Sequence, residues 1–188
     1  GNIDGYDEDG NPTGTFTGSE IALSFGYAYN IPFTDFYIGA SAKLIGSSLE
    51  TYSSYGGALD LGAIYIDEKN DINYALVIRN LGMQFTTYSG VNERLPFDVM
   101  LGISQEVENV PIRWHITLDN LQQWNVAFAN PVDAQQNFDG TSTPENPSFF
   151  KNALSHVIMG AELFPTKGFN VRVGYNFRRG DELAIENQ

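Results

Sequence analysis

The sequence predicts an all-β fold, an antiparallel transmembrane β-barrel. Apolar and polar residues alternate with period two in eight separate segments, as they do on strands that have one apolar face. Short and long connections also alternate along the chain, and aromatic residues concentrate beside the short ones, as in bacterial outer-membrane barrels. A soluble β-sandwich would show the same alternation within its strands, so it remains an alternative fold.

The hairpin between Pro96 and Asp119 shows this alternation most fully. Its apolar positions are Phe97, Val99, Leu101 and Ile103 on the first strand and Ile112, Trp114, Ile116 and Leu118 on the second. The positions between them are mostly polar or charged, so each strand has one apolar and one polar face. In a barrel the apolar face meets lipid, whereas in a sandwich it meets the core.

Six further strands follow from the same period. The predicted strands outside the hairpin are Glu20–Asn30, Asp35–Ile45, Ala58–Ile66, Ile72–Asn80, Ser155–Phe164 and Phe169–Arg178. The long connection Asn120–Asn152 precedes the seventh strand. The segment Ser148–Leu154, which overlaps the end of this connection, is predicted to form one or two helical turns. The tail Arg179–Gln188 is polar.

The residues before the first strand, Gly1–Gly18, are predicted as a polar, acidic loop. The run from Asp7 to Asn11 faintly resembles the spacing of oxygen ligands in a calcium loop, but the bidentate Glu that completes such a loop is missing. A solvated acidic loop is the simpler interpretation.

The order of the connections has a topological consequence. Short turns follow strands one, three, five and seven, and long loops follow strands two, four and six. Both ends of the chain therefore lie on the long-loop side, whereas barrels of this kind begin and end on the short-turn side. We expect residues 1–188 to be the central portion of a single outer-membrane barrel, with about eight strands present and further strands at both ends.

The composition argues against several classes of function. The chain has 10 Lys and Arg against 23 Asp and Glu, a formal net charge of -13, which argues against nucleic acid as a partner. There is no Cys, so a disulfide framework, a thiolate zinc site and a catalytic thiol are excluded. No apolar run is long enough for a transmembrane helix, which needs about 18 residues.

Ionisable residues occupy the polar faces of the predicted strands, and we expect them to pair with one another. They are Lys43, Asp60, Arg79, Asp98, Arg113, His115, Asp119, His156, Glu162 and Arg172. A hydrolase built on Ser155 and His156 is disfavoured, because neighbouring strand residues point to opposite faces. The two His are too few and too far apart for a metal site, so we predict no catalytic, cofactor or metal residues.

The long-loop side carries large aromatic residues that can anchor a protein partner. The candidate partner-binding residues are Trp124, Phe128, Phe149 and Phe150. The alternative is that they pack the loops against one another or cap the lumen.

Four long segments resemble a known family. These segments are Tyr29–Ile45, Gly56–Gly82, Glu108–Phe128 and Gly160–Leu183. They are similar to the PorV/PorQ family, outer-membrane proteins of the type IX protein secretion system of Bacteroidota. The resemblance covers about Gly18 to Glu182 and rests on whole segments rather than on a catalytic motif. It implies a FadL-like barrel of about 14 strands when complete.

The resemblance also implies a function. The protein would be a non-enzymatic outer-membrane subunit that anchors a PorZ-like surface protein of the attachment complex, beside PorU and PorV, with its long loops extracellular. Outer-membrane lipid and lipopolysaccharide would be its other partners. The alternative is a FadL-like transporter of hydrophobic molecules, which needs an apolar lumen. The lumen-facing positions are mostly small or charged, with Val77 and Ile158 as exceptions, which disfavours transport.

Overall fold

The computed structural model describes residues 1–49, 52–87, 94–127, 135–136, 142–143, 147–165 and 168–185. The described chain is an all-β protein of mostly antiparallel strands with two short helices. The chain divides into two compact units. The first comprises Gly1–Ala63 and Val77–Phe97, and the second comprises Ile64–Leu76 and Asp98–Gln188.

The first unit contains the long strands. These are β1 (Asn2–Tyr6), β2 (Pro12–Asn30), β3 (Phe36–Leu49) and the adjoining parts of β4 (Tyr52–Asp67) and β5 (Ile72–Thr86). They pair in chain order. The β2–β3 ladder is antiparallel and runs without a break from Gly18 opposite Leu49 to Asn30 opposite Tyr37.

The β2–β3 turn is tight and strained. The Ile31 amide donates to the Phe36 carbonyl oxygen at 2.9 Å, and the Thr34 hydroxyl donates to the Ile31 carbonyl oxygen at 2.8 Å. Between them Phe33 has φ +61°, a conformation that bulky side chains rarely adopt. The predicted short turn is therefore confirmed.

The predicted N-terminal loop was wrong. Residues Asn2–Tyr6 form β1 and pair with the start of β2, from Asn2 opposite Thr17 to Tyr6 opposite Pro12. Thr13, Thr15 and Thr17 alternate along the start of β2, and β-branched residues of this kind favour strands. The strand was not predicted because the Gly and Asp residues around them leave neither face of the hairpin apolar.

The other strands of this unit also exceed their predicted bounds. β5 continues past Asn80, where the apolar alternation changes from one set of alternate positions to the other. Asn80 has φ +57°, and the exposed apolar positions change there from Tyr74 and Leu76 to Leu81 and Met83. This shift of one residue is the mark of a β-bulge, which the period-two pattern alone could not follow.

The second unit contains the shorter strands. They are β6 (Asp98–Glu106), β7 (Ile112–Leu118), β10 (Val157–Leu163) and β11 (Val171–Asn176), which pair in the order β6-β7-β10-β11 after the adjoining ends of β4 and β5. Two-residue strands β8 (Gln135–Gln136) and β9 (Ser142–Thr143) pair with each other. The predicted strands six and seven are confirmed within a few residues.

Two helices complete the second unit. Helix α1 (Phe149–Ser155) lies one residue from its predicted position, and the Ser148 side chain caps it by accepting from the Lys151 amide at 3.2 Å. Helix α2 (Phe177–Ile185) replaces the end of the predicted eighth strand and most of the polar tail. No helix among the described residues is long and apolar enough to span a membrane.

The strands expose their apolar faces. On β2 the side chains of Leu23, Phe25 and Tyr27 are 52%, 70% and 75% exposed. Within the described residues Ala58 is the only buried apolar side chain. The buried polar and charged residues are Ser54, Asp98, Asp119, Asn152, Ser155, His156 and Glu162. Soluble domains have the opposite arrangement, since they bury apolar and expose polar side chains.

Candidate partner-binding site

The segment after β7 folds back onto the start of β10 through buried polar contacts in the second unit. The Asp119 amide donates to the His156 carbonyl oxygen at 2.9 Å. The Asn120 amide donates to Asp98 Oδ1 at 2.9 Å, and Asn120 itself has φ +54°, which turns the chain away from the strand direction. The first residues of the long connection are therefore fixed to the sheet.

His156 is the centre of this contact. Its Nδ1 lies 2.7 Å from the Asp119 carbonyl oxygen and its Nε2 lies 3.1 Å from the Trp124 carbonyl oxygen. The residue is 4% exposed, so both contacts are shielded from water. The imidazole thus joins two points of the connection to the end of α1. We refer to Asp119, Trp124, Asn125, Asn152 and His156 as the polar latch.

Asn152 supplies the second half of the latch. Its Oδ1 accepts from the Ala127 amide at 3.0 Å, and its Nδ2 donates to Asn125 Oδ1 at 3.4 Å. Because Asn152 lies on α1, these bonds tie Asn125 and Ala127, near the beginning of the connection, to the helix. A buried polar side chain requires such partners, since leaving them unmade costs about 1–3 kcal/mol.

Three exposed aromatic residues lie on α1 and on the segment that the polar latch restrains. The rings of Trp124 and Phe149 lie 5.0 Å apart, and the Trp124 ring also lies 5.6 Å from the His156 ring. Trp124, Phe149 and Phe150 are 49%, 76% and 70% exposed, so most of their apolar area remains free. We call these three residues the aromatic patch. The fourth predicted partner-binding residue, Phe128, lies outside the described residues.

Ser155 and His156 do not form a nucleophile–base pair. Ser155 is 2% exposed, and its hydroxyl donates to the Lys151 carbonyl oxygen at 2.9 Å, as a helical Ser often does. Both ring nitrogens of His156 face backbone carbonyls instead of this hydroxyl. Asp119 contributes its backbone to the contact, while its carboxylate Oδ2 lies 3.7 Å from Arg178 Nη2.

Several of the charged residues on the polar faces form ion pairs, as expected, whereas His156 contacts backbone carbonyls instead. In the first unit Lys43 Nζ lies 2.5 Å from Asp60 Oδ2 and 3.2 Å from Asn80 Oδ1. In the second unit Glu106, Arg113, Glu162 and Arg172 lie opposite one another in a single row across four strands. Glu162 contacts Arg113 at 3.4 Å and Arg172 at 2.9 Å, and Arg113 contacts Glu106 at 3.1 Å. We call these four residues the charge row.

The acidic run near the N-terminus forms a turn in which the Asp7 carboxylate accepts hydrogen bonds from within the turn. Asp7 Oδ1 accepts from the amides of Asp9 and Asn11, at 3.0 and 2.7 Å, and Asp7 Oδ2 accepts from the Asn11 side-chain amide at 3.1 Å. The hydrogen bonds from Asn11 hold the pKa of Asp7 below its ordinary value. In the part of the chain that the structure describes, no group of three or more His, Cys, Asp or Glu is placed to hold a metal ion.

Comparisons with known proteins identify no relative of this chain. No family model matches, no curated protein matches, and no solved structure matches.

The sequence pattern could find the aromatic patch but not the polar latch. Large aromatic residues in a long connection are a visible signal. The bonds of His156, in contrast, go to backbone carbonyls 37 and 32 residues away, and no side-chain spacing records such contacts. The polar character of Asn152 and His156 within an otherwise mixed segment was the only available sign.

Proposed function

We propose that this chain belongs to a FadL-like transmembrane β-barrel in the outer membrane, with a non-enzymatic role as the anchor of a surface protein. The single observation that carries the membrane assignment is the inverted distribution of side chains. Leu23, Phe25 and Tyr27 are exposed, while Asp98 and Glu162 are buried. A membrane barrel has this distribution, because its continuous apolar face contacts the lipid hydrocarbon and its polar side chains face the lumen.

Strand length supports the same proposal. A transmembrane β-strand needs about 9–11 residues to cross the hydrocarbon. The strands β2, β3, β4 and β5 have 19, 14, 16 and 15 residues, enough to cross and to extend beyond one surface. The apolar stretch Ile21–Tyr29 of β2 lies beside the tight β2–β3 turn, as in barrels whose short turns lie just outside the membrane.

The aromatic patch supports the anchoring role. Trp124 and Phe149 sit on the long-loop side of the second unit, and the polar latch beneath them restrains the loop that carries Trp124. A partner that binds a restrained aromatic pair does not have to order a flexible loop, which lowers the entropic cost of association. Together with the resemblance to the PorV/PorQ family, this favours a PorZ-like surface protein of the type IX attachment complex as the partner.

A pull-down tests the anchoring role directly. The tagged protein is purified in mild detergent from its own cells, and co-purifying proteins are identified by mass spectrometry. We expect recovery of a PorZ-like surface protein, and weaker recovery with Trp124→Ala and Phe149→Ala. Leu121→Ala, an exposed apolar change in the same connection outside the patch, is the matched control. Recovery of the barrel with bound lipid and no surface protein would contradict anchoring and would favour transport of hydrophobic molecules.

A further inference from the structure

A groove in the first unit runs along β5 where the bulge interrupts it. Its lining residues are Asn80, Leu81, Gly82, Met83, Gln84, Arg94, Leu95 and Phe97, and its volume is about 490 Å³. Ligand sites in proteins commonly have volumes of about 300–1,000 Å³, with mostly apolar walls and a few polar groups. The groove therefore has the size and lining of a ligand site.

The bulge accounts for the groove. With φ +57° at Asn80, the side chain reaches across to the segment Arg94–Phe97, where its Nδ2 donates to the Pro96 carbonyl oxygen at 2.8 Å. The Asn80 amide donates to Asp60 Oδ1 at 2.9 Å, which holds the other side of the bulge to β4. The segment Arg94–Phe97 lies beside β5 without forming a strand, so the groove stays open.

Gly82 holds the floor of the groove against β4. A Cβ at this position would overlap the Gly57 carbonyl oxygen and would lie 2.6 Å from Ala58 Cα. Only glycine permits this close approach of the two strands. The floor is thus fixed by the backbone of the first unit and does not depend on mobile side chains.

The groove combines an apolar wall with one cation. Leu81 and Met83 are 50% and 65% exposed on the wall, continuous with the exposed apolar face of β5. Arg94 lies at the groove, and the hydrogen bonds and ion pairs of the described residues leave its guanidinium without a partner. An Arg with no ion pair among the described residues, beside apolar area, is unexpected in a chain with a net charge of -13, and it complements a phosphate.

We propose that this groove binds a membrane lipid with a phosphorylated headgroup, the phosphate on Arg94 and one acyl chain along Leu81 and Met83. Asn80 lies on the long-loop side of β5, so the site would face the outer leaflet. The inference rests on the proposed membrane location, because the apolar wall is continuous with the face assigned to hydrocarbon. The lipid covers both the wall and the cation, which neither an acyl chain nor a free phosphate does alone.

Native mass spectrometry of the full chain in mild detergent tests the proposal. The two probes are dipalmitoyl phosphatidic acid and dipalmitoylglycerol, which share their acyl chains and differ in the phosphate. We expect phosphatidic acid to bind about tenfold more tightly, the effect of one charge-assisted contact at a partly exposed site. Arg94→Gln should remove this preference, whereas Arg179→Gln, an exposed Arg on α2, should retain it. Met83→Trp should fill the groove and weaken the binding of both lipids.

Three results would overturn the proposal. The first is equal binding of the two lipids by the natural chain, and the second is an equal loss of the preference for phosphatidic acid in Arg94→Gln and Arg179→Gln. The third is displacement of bound lipid by millimolar inorganic phosphate, which would identify a phosphate site instead. Migration of each variant with and without heating in detergent electrophoresis reports whether it folds. A natural chain that does not insert into lipid vesicles refutes the membrane location, whereas an inserted chain without lipid preference refutes the groove alone.

Discussion

The two units achieve order by different means. The first unit relies on long backbone ladders, such as the thirteen consecutive pairs between β2 and β3. Of the seven buried polar residues in the described chain, Ser54 alone belongs to it. In the second unit the strands β6, β7, β10 and β11 have only six to nine residues, and this unit contains the other six buried polar residues. Short strands provide few ladder bonds, so side-chain contacts fix the connections there.

This difference has a functional meaning under the proposed role. A long, regular ladder suits a region whose task is to cross a membrane, because every backbone polar group is paired. A surface that captures a partner needs loops, and loops need restraints to present the same side chains each time. In the second unit the polar latch supplies those restraints. The comparison leads to four predictions, from the largest effect to the smallest.

Removal of Glu162 should be the most destabilising change. Its carboxylate is nine-tenths buried and pairs with both Arg113 and Arg172, so Glu162→Ala leaves two guanidinium groups without their shared partner. Removing one partner of a fully buried ion pair costs about 3–5 kcal/mol, and we expect the lower end of this range because Arg172 is 70% exposed and Arg113 keeps its contact with Glu106. Urea unfolding in lipid vesicles measures the loss. Asp60→Ala in the first unit should cost less, because the long ladders compensate, and an equal loss would contradict the proposed difference between the units.

Arg on the exposed apolar face should be the next most damaging change in either unit. Phe25→Arg and Met159→Arg should each reduce the free energy of unfolding in vesicles by about 2–3 kcal/mol, the lower part of the cost of a charge near the middle of a bilayer, because the long Arg side chain can reach toward the interface. Glu8→Arg in the exposed β1–β2 turn is the control and should cost nothing measurable. At a water-exposed surface all three changes would stay within about 0.5 kcal/mol, which would contradict the membrane location.

The polar latch should show a smaller effect on stability and a clear effect on binding. Asn152→Ala leaves the Ala127 amide without its acceptor, and we expect a loss of about 1–2 kcal/mol together with weaker partner capture. Proteolysis of the long connection, followed by mass spectrometry, should become faster. Leu121→Ala, at an exposed apolar position of the same connection, is the control. Unchanged proteolysis would show that the latch does not order the loop.

The N-terminal turn should give the smallest effect, and it depends on pH. Because hydrogen bonds lower the pKa of folded Asp7, the carboxylate stabilises the turn above its ordinary pKa, and this contribution is lost as pH falls through the lowered pKa. An NMR titration should show the Asn11 amide shifting at a pH below the usual range of an Asp. In Asp7→Ala this shift should be absent, while a transition in the ordinary Asp range would contradict the hydrogen bonds.

Much of the fold could be predicted from alternation alone, and its failures have physical causes. The hairpin from Pro96 to Asp119 was predicted because apolar residues mark one face of both strands. The hairpin formed by β1 and the start of β2 was missed because its Gly and Thr residues leave no apolar face. The continuation of β5 was missed because the bulge at Asn80 shifts the period by one residue.

The candidate site was predictable only in its outer part. Trp124 and Phe149 are conspicuous in the sequence, and the structure brings their rings together. The groove beside β5 could not be predicted, because it depends on an Asn at positive φ and on the close approach of Gly82 to β4. Tertiary geometry of this kind has no period in the sequence.

The most direct test of the central claim is a lipid-accessibility scan along β2. The chain has no Cys, so single-cysteine variants from Ile21 to Tyr29 can each take one nitroxide label without background. In lipid vesicles, electron paramagnetic resonance reports collisions of each label with oxygen, which is concentrated in lipid. We predict a period of two, with high oxygen accessibility at Leu23, Phe25 and Tyr27 and low values at Ser24 and Gly26. Uniform values, or labels at Phe25 that collide only with a water-soluble relaxation agent, would contradict the account.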